Sequence, residues 1–379
     1  MRTGGLYLHI PFCRHKCVYC DFYSVENRDA DREVFIQALC RELSAPETPS
    51  TPIDSIFFGG GTPSLLTPAD FERVLEVVRR HWNLTAEVEI TVEANPGEVS
   101  LADLRAWVSL GIQRLSLGIQ SFRDRHLRFL TRIHDAAEAR RALKWAFQAG
   151  FENVNGDMIH TLPGQTVQEW ETDLEELIDW GVCHISAYAL TVEPQTPLAR
   201  EVARGSIHLP PEDLAVSFLE RTEQVLTGRG FRHYEISNYS RPGFACRHNL
   251  HYWNLEPYWG CGPSAHSFDG NRRWWNVRSL DTYLTRMQAG RSPVARGEVL
   301  STRQKINEIL GFGIRLEDGV NLNRLPAPWR ARMRPRIDHA RLKWEPYLQL
   351  EDGYLRLSGP GRLYADAIAV DLMVPEDSP

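Results

Sequence analysis

Short apolar and β-branched runs alternate with longer amphipathic stretches through the first 240 residues. The runs predict strands at Leu6–Pro11, Ser55–Phe58, Val88–Val92, Arg114–Ile119, Val154–Ile159 and His184–Leu190. The stretches between them predict helices at Asp31–Leu43, Pro68–Arg80, Ser100–Ser109, Ala136–Ala149 and Thr166–Trp180. The pair Thr67–Pro68 is a start signal, with Thr67 as the cap and Pro68 at the first helical position. Strand–helix alternation of this kind predicts a parallel sheet with right-handed crossovers. Six units are fewer than the eight of a closed barrel, so the expected α/β fold is an open, partial (β/α)6 barrel. A helix over Pro211–Thr227 and a strand over Tyr234–Asn238 follow.

The pattern changes after Ser240. A Gly-, Trp- and His-rich stretch reads as irregular as far as Arg278. From Arg303 the chain is helical again, and a hairpin is expected around Asp352–Gly353. The expected organisation is therefore a core over 1–240, a segment over 241–299 and a small α/β module over 300–379.

Hydrophobic residues make up 42% and charged residues 24%, the balance of a soluble globular protein. A net charge of −6 gives no overall attraction to nucleic acid. The longest uncharged apolar stretches, such as Ser55 to Gly61, are too short to span a bilayer, and Met1–Arg2–Thr3 runs into a strand without a signal-peptide core. A cytoplasmic location is expected. In a reducing compartment, three of seven cysteines within eight residues point to metal binding and not to disulfides. Cys40 and Cys183 read as plain buried thiols.

Those three form C-x3-C-x2-C: Cys13, Cys17 and Cys20, directly after the first strand. Soft thiolates select an iron–sulfur cluster or zinc. A structural zinc site needs a fourth ligand, and no second C-x2-C pair follows at finger-like spacing; His9 or His15 could complete a Cys3His site.

The run Tyr7-Leu-His-Ile-Pro-Phe-Cys13, continuing through Cys17 to Cys20-Asp21-Phe22, resembles the radical S-adenosylmethionine (SAM) family of oxygen-independent coproporphyrinogen III oxidases and their relatives. The resemblance extends from Tyr7 to Trp253 and beyond. It implies a radical SAM barrel with a [4Fe–4S] cluster on the three cysteines, its fourth iron open to the amino and carboxylate groups of SAM. Each predicted strand ends in a small or polar group, where parallel α/β folds bind ligands. The family pattern gives these groups roles: Gly60, Gly61 and Thr62 at the amino end of SAM, Glu93 and Arg132 on its methionyl part, Gln120 and Asp157 on its ribose side. Tyr7 and the backbone at Tyr19 would pack near the cluster and adenine. Read on their own, the same polar residues are helix caps or solvated loops.

A second motif, His248–Asn249–Leu250–His251–Tyr252–Trp253, matches the HNxxYW signature tied to heme binding in the HemW heme chaperone branch of that family. Imidazole ligates heme iron and flat aromatics pack on a porphyrin face. His248 is the first candidate ligand, with His251, Cys246 and His266 as alternatives; without the resemblance, His248, Tyr252 and Trp253 read as packing residues. The resemblance thus implies a heme chaperone that passes heme to an acceptor protein, with an electron donor if SAM is cleaved, no nucleic-acid partner, and peripheral membrane association through the acceptor. The alternative is the oxidase itself, an anaerobic oxidative decarboxylase. Three departures count against it: Phe22 replaces the oxidase pattern's fourth cysteine, the first strand begins near the chain start where oxidases carry an extension, and the heme signature is present. A radical SAM methyltransferase is a more distant reading.

Overall fold

The computed structural model describes residues 3–45 and 49–375. All six predicted parallel strands form: β1 (Gly4–Ile10), β2 (Ile53–Gly60), β3 (Leu84–Ala94), β4 (Arg114–Gln120), β5 (Asn153–His160) and β6 (His184–Ala189). They pair in chain order, each parallel to the next. The crossovers carry α1 (Arg32–Leu43), α2 (Pro68–His81), α3 (Leu101–Ser109), α4 (Asp124–Phe129), α5 (Ala136–Ala149) and α6 (Val167–Asp179). Thr67 closes a capping box with Asp70 at the start of α2, and the same device starts α3, α5 and α6 at Ser100, Asp135 and Thr166.

Side chains alternate along each strand. Leu6, Leu8 and Ile10, Ile56 and Phe58, Ile90 and Val92, and Leu115, Leu117 and Ile119 form one core with the helices. The opposite, concave face is largely polar. In register across it lie Tyr7, Phe57, Thr91 and Arg114, and one step further along Glu93, Ser116 and Asn155.

Beyond β6 come α7 (Pro197–Ala203), α8 (Glu212–Gly228), and the paired strands β7 (Arg232–Glu235) and β8 (Asn238–Ser240), which replace the single strand expected over Tyr234–Asn238. The stretch read as irregular is ordered. It holds α9 (Arg247–Trp253), then β9 (Tyr258–Cys261), β10 (His266–Phe268), β11 (Arg272–Asn276), α10 (Leu280–Gln288) and β12 (Val294–Val299). β9 lies parallel to β1, and β10, β11 and β12 continue antiparallel from it. The result is one 12-stranded sheet, β12-β11-β10-β9-β1-β2-β3-β4-β5-β6-β8-β7. These edge strands run only three to six residues and mix Arg, Gly and Trp, so no period of two marks them.

Residues 306–374 build a second hydrophobic cluster, with Ile306, Leu310, Met333, Ile337, Leu355 and Ile368 fully buried. It joins α11 (Thr302–Gly313), α12 (Ala327–Lys343) and α13 (Ala365–Leu372) to a three-stranded sheet of β13 (Val320–Asn321), β14 (Leu348–Glu351) and β15 (Tyr354–Leu357). The expected hairpin joins β14 to β15 through Asp352 and Gly353, both at positive φ. Among the described residues, no helix is long and apolar enough to cross a membrane.

Candidate functional site

The cysteine loop leaves β1 across the carboxyl end of the sheet and is held by the glycine run after β2. Gly61 N–H donates to Ile10 O (2.8 Å) and Thr62 N–H to Phe12 O (2.7 Å). A Cβ on Gly61 would stand 2.5 Å from Phe12 O. Gly60, at φ +112, has no room either: its Cβ would meet the His9 ring at 2.6 Å. Gly61 is required by the approach of the cysteine loop, and Gly60 by its positive φ and by the His9 ring on β1.

The thiols are met by polar partners. Cys13 Sγ lies 3.4 Å from Thr62 Oγ1, and Arg132 Nη1 donates to Cys17 Sγ at 3.4 Å. Cys17 is buried, while Cys13 and Cys20 are partly exposed. Burial pushes the Cys20 thiol up to about 11 and raises Cys13 as well, so a metal must displace protons to bind here. Among the described residues, no three His, Cys, Asp or Glu side chains converge to hold a single metal ion, these thiols included.

The other strand-end residues gather beside the loop. Glu93 Oε2 accepts from Gly60 N–H at 3.3 Å; burial, with help from the nearby charge of Asp157, pushes its carboxyl up to about 8. Asp157 accepts from Ser116 Oγ (3.0 Å) and Asn155 Nδ2 (2.8 Å). Gln120 ends β4 at φ +66. The amide nitrogen of Gln120, Arg132 Nη2 and Asn95 Oδ1 would lie within 3.3 Å of a Cβ on Gly118, so that glycine keeps the spot open. Tyr19 packs on the small cluster of Leu130, Ile159 and Leu162. Arg132 Nε is buried without a hydrogen-bond partner, while Glu98 Oε1 has an ion-pair contact with Arg14 Nε at 3.8 Å. An orphaned guanidinium nitrogen beside soft donors and a glycine cradle fits a charged cofactor at this rim.

The helix α9 lies against the concave face near the amino ends of β1 and β2. Glu89, on β3, accepts from Arg247 N–H at 3.1 Å and satisfies its first turn. His248 is buried against the rings of Tyr7 and Phe57, centroids 6.0 and 5.2 Å away, and those two rings also meet each other at 6.2 Å. Its Nδ1 lies 3.0 Å from Ser55 Oγ and its Nε2 2.8 Å from Tyr252 OH. Burial drives its pKa down to about 3, which keeps the ring neutral. His251 differs. Its Nε2 meets Asp54 at 2.7 Å and its Nδ1 meets Glu256 at 2.9 Å, so both nitrogens carry hydrogens and neither has a lone pair for iron. Trp253 meets Phe312 of α11 edge-on, and Asn249 is partly exposed. Cys246 is buried near Glu89, whereas His266 stacks on Trp275 in the antiparallel extension.

Among known proteins, the radical SAM superfamily profile matches residues 7–177. The heme chaperone HemW of Mycobacterium tuberculosis is 37% identical over 377 residues, covering 97% of this chain and 94% of that protein. The chain belongs to the HemW family. HemW of Escherichia coli is 38% identical over 289 residues, 76% of this chain and 75% of that protein. In structure, coproporphyrinogen III oxidase (HemN) from Escherichia coli, a radical SAM enzyme, superposes with a TM-score of 0.84 over 98% of this chain and 90% of its own, at 22% identity. That likeness fixes the fold. Three polar residues of this HemW site did not stand out in the sequence: Arg114, buried on the concave face, and Asn95 and Glu98, beside the thiols. The period-two pattern of Arg114-Leu-Ser-Leu-Gly-Ile-Gln120 was the available signal for the first.

Proposed function

We propose that this chain is a heme chaperone built on a radical SAM scaffold. It carries a [4Fe–4S] cluster on Cys13, Cys17 and Cys20, binds SAM across the ends of β2 to β5, binds heme around α9, and transfers that heme to an acceptor protein. Support for the first two comes from one observation: Thr62 and Arg132, both SAM candidates, contact Cys13 and Cys17 directly. When bound, the cluster supplies an electron for reductive cleavage of SAM. Around it, Gly60, Gly61 and Thr62 would receive the amino end of SAM. Glu93, protonated at neutral pH, and Arg132 would flank the methionyl part, Gln120 and Asp157 the ribose, and Tyr7 and Tyr19 the remaining contacts.

For heme, His248 remains the first ligand candidate because it is neutral; ligation requires Tyr252 or Ser55 to release a ring nitrogen. Asn249, Tyr252 and Trp253 would frame the porphyrin. His251 holds α9 to Asp54 and Glu256 instead. A division into 1–240, 241–299 and 300–379 follows the cluster core, the heme segment and the tail. The working location is the cytoplasm, with a membrane reached through the acceptor, an electron donor where SAM is cleaved, and no nucleic-acid partner. The oxidase reading shares the fold, but Phe22 is 65% exposed where the oxidase pattern has its fourth cysteine.

The test is anaerobic reconstitution followed by two assays. Added heme should give a Soret band that weakens in His248→Ala, and coproporphyrinogen III with SAM and a reductant should not be converted. Conversion to protoporphyrinogen, or no heme binding by the wild type, overturns the reading.

A further inference from the structure

The two cysteine contacts share a support that lies outside the cysteine loop. Asn95 stands just after β3, with its backbone N–H 3.4 Å from Ser64 Oγ. Its side-chain Nδ2 donates to Thr62 Oγ1 at 3.2 Å and to Glu98 Oε2 at 2.7 Å. Its Oδ1 accepts from Arg132 Nη2, which also donates to Gly118 O at 3.1 Å.

One carboxamide therefore acts on two thiols. By donating to Thr62 Oγ1, it occupies that oxygen as an acceptor and leaves the hydroxyl hydrogen for Cys13 Sγ, 3.4 Å away. By accepting from Nη2, it orients the guanidinium so that Nη1 faces Cys17 Sγ, also 3.4 Å away. The carboxamide offers a donor and an acceptor on one planar group, which neither Asp nor Ala can do. Asp would keep the contact with Arg132, lose both donations, and place a second carboxylate beside Glu98.

We propose that Asn95 is the positioning residue that aims Thr62 and Arg132 at Cys13 and Cys17, and thereby sets the reduction potential of the cluster those cysteines carry. Reduction adds one negative charge to the cluster. Hydrogen-bond donors and a cation beside the thiolates stabilise the reduced form more than the oxidised form, and so raise the potential. Releasing both donors lowers it. The inference rests on the cluster assignment above and adds to it a residue that touches neither cysteine.

The experiment is an anaerobic redox titration, followed by the paramagnetic signal of the reduced cluster, on reconstituted full-length wild type, Asn95→Ala and Asn95→Asp. Both variants should carry the cluster at wild-type iron and sulfide content. At a poise where the wild type is half reduced, the reduced-to-oxidised ratio should fall about tenfold, equivalent to about 59 mV for one electron. Asn95→Asp should fall at least as far, because of its added charge. An unchanged ratio in either loaded variant overturns the proposal. Failure of both to take up a cluster overturns it too, since Asn95 would then serve assembly and not potential. If the wild type itself takes up no cluster, it is the cofactor assignment that fails.

Discussion

The ring of Tyr7 lies over the ring of His248, with centroids 6.0 Å apart and planes 27° from parallel. The Tyr7 hydroxyl is 3.2 Å from Nδ1 of His9, whose Nε2 lies 2.9 Å from Tyr23 O just beyond the third cysteine. Tyr7 thus spans the concave face from α9 to the cysteine loop.

Tyr7→Phe should keep the stack and lose only the hydroxyl contact, about 1 kcal/mol. Tyr7→Ala should cost about 3–5 kcal/mol by opening a cavity under His248. Chemical denaturation measures both, and near-equal losses would show that the ring contact with His248 carries little.

Cys17→Ala should abolish the broad cluster absorbance near about 400 nm after anaerobic reconstitution. Cys40→Ala and Cys183→Ala, at thiols outside the loop, should leave it intact. Retention of the band in Cys17→Ala would mean the ligands lie elsewhere.

Gly61→Ala should lose iron before it loses fold. The new methyl must push back Phe12 O, 2.5 Å away, and with it the start of the cysteine loop. Gly164→Ala is the control: its φ of +72 costs about 1 kcal/mol, but nothing lies within 4 Å. Iron content and circular dichroism together read the outcome, and equal iron in the two variants would refute the steric argument.

His251 should make stability fall in alkaline solution. Burial works against its charge, but hydrogen bonds to Asp54 and Glu256 outweigh that and raise its pKa to about 9. A raised folded pKa stabilises fully below the unfolded value of 6.5, and the gain is lost as pH rises through about 9. The loss should be on the order of 2–3 kcal/mol, discounted because both carboxylates are partly exposed. Unfolding free energies at pH 6 and pH 9.5 should differ by this amount in the wild type and much less in His251→Gln. An equal pH slope in both would exclude the pair as its source.

The six parallel strands were legible because each buries an apolar face under a helix with its own cap, as at Thr67 and Asp135. The cysteine spacing was equally plain. The strands after Tyr258 were hidden by their shortness and by residues such as Arg272 and Arg273, which sit on an exposed extension. Asn95 and Arg114 were hidden for a different reason. Asn95 bonds Thr62, 33 residues away, and Arg114 faces Cys246 in a segment far along the chain, and a single sequence holds no record of that proximity.

β1 has a neighbour on each side, and one of them, β9, arrives some 250 residues later in the chain. On the ribosome, the strand that leads into the cysteine loop must wait with an unpaired flank until Cys261 has emerged, and at roughly 5–20 residues per second that takes more than ten seconds. The cluster proposed for those cysteines would, before then, meet a loop braced on one side only, and its insertion is expected to follow synthesis.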